Sequence, residues 1–402
     1  MLGEAAAQLT RELGGLGEVV LITQENQLAG LGGEVLVAVP MSGAVQPLVL
    51  KACEGFERVV LFPAYVKGNS CDWLCQKMLE LNAAPAIMDL VGVLKRSPKP
   101  MFFPASKDEL TKVCKAVQGY YNVRGSKLLL IGESEPWVIS VSRDHAVYKD
   151  RLGIKFVPVE TAELICRYQL TSDEQARPLY DQWMAEAAGV QEPSEEDVLK
   201  AARLGVALMD IIRGHEASGV AIACFNLLQQ IGVTTCMAVS HINTHTPWIA
   251  ACEGDTDAAV TMLLARQIAT GPLWMANPNL GCDKTVNFVH CTAPTRLGDV
   301  PLRTLLRNHH ESGIGVSTQV DFPDRLPVTA CRISRDATTM TIQMGTGQKQ
   351  GYEPSCRTQY RVWFDDYDKY IATVLGCHQV FAFEDIAEDM RVLAGVFGLE
   401  VL

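Results

Sequence analysis

Short runs that are apolar at every position, each followed by a helix-length stretch, set the architecture of the first two thirds of this chain. Val35-Leu36-Val37-Ala38, Val59-Val60-Leu61-Phe62 and Leu128-Leu129-Leu130-Ile131 are the clearest. A strand that offers water neither face belongs in the middle layer of a three-layer stack, the position of a parallel sheet covered by crossover helices. Val19-Val20-Leu21-Ile22 and the stretch at 86–90 are further runs of this kind, and helical patterns lie at about 45–54, 72–82 and 107–119. Strand and helix in alternation predict βαβ units.

A second such unit starts at Lys127-Leu128-Leu129-Leu130-Ile131-Gly132. It continues through a helix at 144–152, the strand Lys155-Phe156-Val157-Pro158-Val159, a helix from Ser194-Glu195-Glu196-Asp197 to about Arg213, the apolar run 219–225 and a helix at 256–269. The acids at 195–197 suit the positive end of a helix. The last third changes character. Segments 286–291, 328–333, 340–344 and 358–364 carry β-branched residues, Arg335-Asp336-Ala337 and Gly345-Thr346-Gly347 read as hairpin turns, and a helix near 383–397 closes the chain. The expected fold is α/β: two doubly wound parallel-sheet domains (1–125 and 126–270), then a C-terminal β-rich, antiparallel, barrel-like domain (271–402).

Composition removes several functions. The formal net charge is −11 and the Lys95-Arg96-Ser97-Pro98-Lys99 cluster is short, so the basic stripe that nucleic-acid binding needs is missing. No apolar stretch reaches the roughly 18–20 residues that span a bilayer, and Met1-Leu2-Gly3-Glu4 does not open like a signal peptide. Thirteen cysteines, an odd number without a CxxC pair, sit mainly inside apolar runs. Such usage fits small buried hydrophobes in a reducing compartment, so the expected location is cytoplasmic. Gly30-Leu31-Gly32-Gly33 lacks dinucleotide-binding spacing, and no nucleotide cofactor is expected.

The densest chemistry is at Ala251-Cys252-Glu253-Gly254-Asp255-Thr256-Asp257. Asp255 and Asp257 suit a helix N-terminus. Glu253 needs another reason, since it follows the apolar Ile249-Ala250-Ala251, where a sheet ends and ligands bind.

From Glu253 to Pro294 the chain resembles the metal-site segment of the L-fucose and L-arabinose isomerase family. Glu253-Gly254-Asp255 matches the family's glutamate motif, Gly271-Pro272-Leu273-Trp274-Met275-Ala276-Asn277 stands where its second carboxylate lies, and His290-Cys291-Thr292-Ala293-Pro294 matches the arabinose-type histidine. Leu375-Gly376-Cys377-His378-Gln379 fits the histidine before the last helix. The resemblance implies aldose–ketose isomerisation of a pentose, deoxyhexose or modified hexose through an enediol. It implies a Mn²⁺ or Mg²⁺ ion held by Glu253, Asn277, His378 and His290, and a homo-oligomer, trimer or hexamer. Catalytic roles would fall to Glu253, Asn277 and Asp255.

One departure is material: Asn277 replaces the family's second acid and cannot take a proton. Glu253 then acts alone or with Asp255, His290 or a bound water. Otherwise the scaffold serves another sugar reaction, an epimerisation or carbon-chain transfer, or binds sugar without turnover. His241 and Asn243, in a polar loop, and His310 and Glu311 are candidate sugar contacts. Trp248 and Trp274 flank the site and are candidate stacking platforms. His215 reads as a solvated helix end and His145 as a surface residue.

Overall fold

The structure is a computed structural model and describes residues 2–402. The chain divides into two compact units, one ending at Val117 and one running from Gln118 to Leu402. The first unit holds a parallel sheet in the order Gly33–Ala38, Phe56–Leu61, Met101–Phe102. Val59, Leu61, Ile87 and Leu90 form the centre of its core. Two apolar runs differ from expectation. Residues 86–90 lie inside the helix Ala83–Leu94, because a short apolar run has no period of its own to separate a buried helix from a strand. Residues 19–22 lie outside the strands, and Val20 is 49% exposed.

The second unit combines a parallel sheet and a barrel. The sheet runs Lys155–Val159, Lys127–Ile131, Gly219–Ile222, Ile249–Ala251. Its chain order reverses on either side of Lys127–Ile131, a topological switch point, and in open α/β sheets ligands bind at the carboxyl edge beside such a point. Helix Glu195–Gly214 covers one face through Val198, Ala202, Leu208 and Ile212. Its start is a capping box: Ser194 accepts from the Asp197 N–H while Asp197 accepts from the Ser194 N–H. Ser194→Ala is expected to cost ~1 kcal/mol, read as a lower midpoint in urea unfolding.

The C-terminal β-region is a closed six-stranded antiparallel barrel. Strand Leu326–Ile333 pairs with Gln379–Ala382, followed in order by Leu273–Leu280, Val286–His290, Thr358–Phe364 and Thr339–Gln348, which returns to Leu326–Ile333. Trp274, Ala276, Phe288, Val328, Ala330, Tyr360, Val362 and Phe381 fill the interior, two residues apart along each strand as a pleat requires. Arg335-Asp336-Ala337 is the turn expected, between Leu326–Ile333 and Thr339–Gln348. Gly345-Thr346-Gly347 is not a turn but part of strand Thr339–Gln348. A Cβ on Gly347 would lie 1.9 Å from the Tyr360 ring, so glycine here makes room for that ring. Among the described residues no helix is long and apolar enough to cross a membrane.

Candidate metal centre

The site grows from the carboxyl edge of the parallel sheet. After strand Ile249–Ala251 the chain turns sharply, with Glu253 and Gly254 both left-handed at φ 56° and 61°. A non-glycine residue there costs about 1–2 kcal/mol, so the surroundings must hold it. The Gly254 N–H donates to the Ile222 carbonyl at 2.7 Å, the Glu135 N–H donates to the Glu253 carbonyl at 3.0 Å, and Ser134 Oγ donates to the Gly254 carbonyl at 2.7 Å. A Cβ on Gly254 would meet Ser134 Cα at 2.6 Å, which makes this glycine obligatory. Helix Thr256–Ala265 then starts at Asp255, whose Oδ1 accepts the Ala258 N–H at 2.7 Å.

The barrel brings two imidazoles to this turn. His290 ends strand Val286–His290, and His378 immediately precedes Gln379–Ala382. Both strands flank Leu273–Leu280. His378 Nε2 lies 3.3 Å and His290 Nε2 4.0 Å from Glu253 Oε1. One donor atom from each of the three residues falls within 4.8 Å of the others. The opposite nitrogens are engaged: His378 Nδ1 is 2.8 Å from Asp255 Oδ2, and His290 Nδ1 is 2.7 Å from Thr292 Oγ1. Each ring is thus turned so that Nε2 faces the carboxylate, the way second partners orient histidine ligands.

His378 Nε2 is buried and makes no well-aligned hydrogen bond, its nearest acceptor being Glu253 Oε1 at 3.3 Å. Buried polar atoms are rarely left so, and a cation between His378, His290 and Glu253 would satisfy it. The three residues could therefore hold a metal ion. Glu253 keeps 14% side-chain exposure against 1% for His378 and 5% for His290, so the carboxylate is the donor nearest to solvent.

A buried guanidinium underlies the cluster. Arg332 is 0% exposed and donates to Asp255 Oδ2 at 3.0 Å, to Asp255 Oδ1 at 3.3 Å and to the His378 carbonyl at 2.7 Å. Asp257 lies 3.6 Å from it and accepts from the Tyr148 hydroxyl. Burial alone would raise the Asp255 carboxyl, but Arg332 and His378 hold it well below the usual range. Glu253 behaves alike: burial opposes its charge, yet His378, His290 and the Trp137 indole N–H bring it down to about 2. Burial would discharge His378, but Asp255 and Glu253 push it well above the ordinary value. His290 is lowered to about 3 by burial and by the His378 charge, and stays neutral. Burial leaves Asp257 raised to about 6, against the pull of Arg332.

Glu253, His290 and His378 meet; the remaining candidates are spread out. Asp255 is fully buried, caps a helix and pairs with Arg332, so it positions the His378 ring and is out of reach of a solute. Asn277 is half-buried on Leu273–Leu280 opposite Val289, and the Gln379–Ala276 pairing places it level with His378. His241 and Asn243 belong to a buried helix, Cys236–His245, rather than to a polar loop. His241 Nδ1 accepts from the Trp183 indole at 3.2 Å, and the Asn243 amide bonds both the N–H and the carbonyl of Ala250 at 2.8 Å. Hydrogen bonding explains why these polar residues tolerate burial. Trp274 is inside the barrel, and Trp248 packs against the core under the parallel sheet, so neither is a free platform. Glu311 is exposed and His310 half-buried. Their neighbour His309 is the buried one, edge-on to Phe225 at 5.5 Å. His215 caps its helix and lies 3.2 Å from Glu163, while His145 is half-buried against Phe156.

Three contributors escape a reading of motifs. Arg332 is a lone charge in the apolar segment Val328-Thr329-Ala330-Cys331-Arg332-Ile333, and that isolation was its signal. Trp137 and Glu135 lie in the loop after Lys127–Ile131. The Trp137 indole donates to Glu253 Oε2 at 2.8 Å, and Glu135 Oε1 accepts the Phe225 N–H at 3.0 Å. No model of a known protein family matches this chain, and no curated protein matches it either.

Proposed function

We propose that this protein is a metal-dependent sugar isomerase, interconverting an aldose and a ketose at the Glu253–His290–His378 centre. The observation that carries the reading is the pair of imidazoles with pinned Nδ1 atoms and Nε2 atoms turned toward one carboxylate oxygen, together with the sequence resemblance around Glu253. A divalent ion, Mn²⁺ in preference to Mg²⁺, would polarise the sugar's carbonyl and neighbouring hydroxyl oxygens when bound. Glu253, His290 and His378 would hold it, and Asn277, level with His378 in the strand register, would add an amide oxygen or a hydroxyl contact.

In this reading Glu253 takes the proton from C2 of the aldose and returns it to C1, giving the ketose. Held at about 2, it is a weak base, so abstraction depends on a neighbouring carbonyl polarised enough to acidify the C–H. His290 has no nitrogen free for a proton in this role, its Nε2 facing the ion and its Nδ1 bonded to Thr292, so the hydroxyl proton passes between the two sugar oxygens by exchange with water. Asp255 keeps His378 turned toward the site and takes no proton itself.

Adding Mn²⁺ to chelator-treated protein is expected to stabilise it by ~3 kcal/mol at a hundredfold excess over Kd, seen as a rise in melting temperature. The rise should grow with pH, because binding must displace the proton that His378 holds. Incubation with Mn²⁺ and a panel of aldoses and ketoses in D₂O tests the reaction. Deuterium at C2 of the aldose or C1 of the ketose, with net conversion, is expected. The single carboxylate among the three donors favours a second reading, sugar binding without turnover. Sugar-dependent thermal stabilisation with no deuterium in any sugar would put that reading ahead.

A further inference from the structure

The geometry points to Trp137 as the apolar half of the binding site: a fixed indole that takes the carbon–hydrogen face of a polyhydroxy ligand while the Glu253 centre takes its oxygens. This rests on the sugar reading above and names the surface that would select for it.

Trp137 is 54% exposed, although a tryptophan gains most by burial. It is not exposed for want of constraint. Arg143 ties its loop together, donating to the carbonyls of Ser134 at 2.6 Å, Glu135 at 2.9 Å and Val138 at 3.2 Å. Ser134 and Glu135 are bonded to the Glu253–Gly254 turn, and Val138 and Val141 are buried anchors. The ring itself meets Phe225 edge-on, with centroids 5.1 Å apart and planes at 89°. Phe225 is backed by His309. Finally, the indole N–H holds Glu253 Oε2 at 2.8 Å. A ring oriented by its loop, a neighbouring ring and a hydrogen bond, yet more than half open, is preorganised for a ligand.

The chemistry of that ligand follows from the two halves. The donors beside the indole suit a cation that grips oxygen atoms. The indole offers only an apolar, electron-rich face. A phosphate or a small carboxylate could be held by the cation but, with no carbon–hydrogen face, would gain nothing from the indole. A chain or ring of alternating hydroxyls, with C–H bonds on one side and oxygens on the other, satisfies both halves. Ile139, 80% exposed in the same loop, adds to the apolar surface.

The test uses the Mn²⁺-loaded protein and five- and six-carbon alditols, titrated by calorimetry, so turnover is not needed. Wild type is expected to bind at least one alditol. Trp137→Ala should weaken that binding about tenfold or more, whereas Trp137→Phe, which keeps an aromatic face, should hold most of it. Both variants lose the N–H to Glu253, so the difference between them isolates the ring face, and Mn²⁺ affinity should move equally in the two. Alditol affinity unchanged in Trp137→Ala overturns the platform and leaves the isomerase reading standing. Equal losses in both variants also overturn it, assigning the effect to the N–H. No alditol binding by the metal-loaded wild type overturns the platform and the sugar reading together. Trp137 emission shielded from acrylamide in the free protein, taken as wild type minus Trp137→Phe, would show the face covered by another chain and would equally overturn it.

Discussion

Glu253→Gln is expected to lower divalent-metal affinity at least about a hundredfold and sugar turnover by about a thousandfold or more, while the protein still unfolds in one cooperative transition. The amide nearly matches the carboxylate in shape and can still accept the Trp137 indole N–H, so the left-handed turn at Glu253-Gly254 has no new steric conflict. What disappears is the negative charge between His378 and His290. Without it, a cation meets two imidazoles and a weak amide donor, and the C–H proton has no acceptor. Some stability goes as well. The Glu253 carboxyl is depressed to about 2 in the folded protein, so its ionised form stabilises the fold above the unfolded value, and that contribution fades as pH falls through about 2. Its removal at neutral pH should cost ~2 kcal/mol, a shift in melting temperature and not a loss of fold. Calorimetric Mn²⁺ titration and the deuterium assay read the two main effects. Retained turnover in Glu253→Gln would remove this residue from the mechanism.

The second large effect belongs to a residue that touches no solute. Arg332→Met should destabilise the protein by about 3–5 kcal/mol at neutral pH, because it leaves buried Asp255 with His378 as its remaining cation and Asp257 with none, in a site where the arginine is 0% exposed. The loss should shrink on acidification. In wild type the depressed Asp255 contributes stability that is present above its unfolded pKa and lost as pH falls through the folded value. Asp257 has the opposite sign: raised to about 6, its contribution is complete below its unfolded value and lost as pH rises through about 6. With Arg332 gone, both carboxyls rise, and protonating them relieves the stranded charge. The triple variant Arg332→Met with Asp255→Asn and Asp257→Asn should recover most of the loss, as replacing whole buried ion clusters often does. Because Arg332 also braces the Asp255 that orients His378, metal affinity in Arg332→Met should fall about 10–100-fold. Urea unfolding between pH 5 and 8 measures the first effect. A loss under about 1 kcal/mol across that range would mean the cluster is solvated and the account of it is mistaken.

Much of this molecule is legible from its residues in order. Runs such as Leu128-Leu129-Leu130-Ile131, each followed by a helical pattern, read as strands covered on both faces, and the parallel sheets follow. The switch to β-branched segments after Val286 announces the barrel. Ambiguity enters where a local pattern has two solutions. The 86–90 run suits a buried helix as well as a strand, and Gly345-Thr346-Gly347 suits a turn until the Tyr360 ring is seen to occupy the space a side chain would need.

The candidate site divides along the same line. Glu253 was marked by position alone, an acid at the end of an apolar strand, because a sheet edge is defined by local sequence. His290 and His378 were marked by resemblance. Whether the three meet depended on barrel register and on the placement of the barrel against the parallel sheet, which no local pattern encodes. The Arg332–Asp255 pair spans 77 positions of chain and the Trp137–Glu253 bond 116. Side chains separated so far are brought together by packing of whole elements, and short-range sequence carries no record of that packing. The individual chain segments determined which strands and helices form and where an acid would stand at a sheet edge; tertiary structure alone decided which tryptophan faces that acid, which arginine neutralises its neighbours, and which nitrogen of each histidine is left to face the carboxylate.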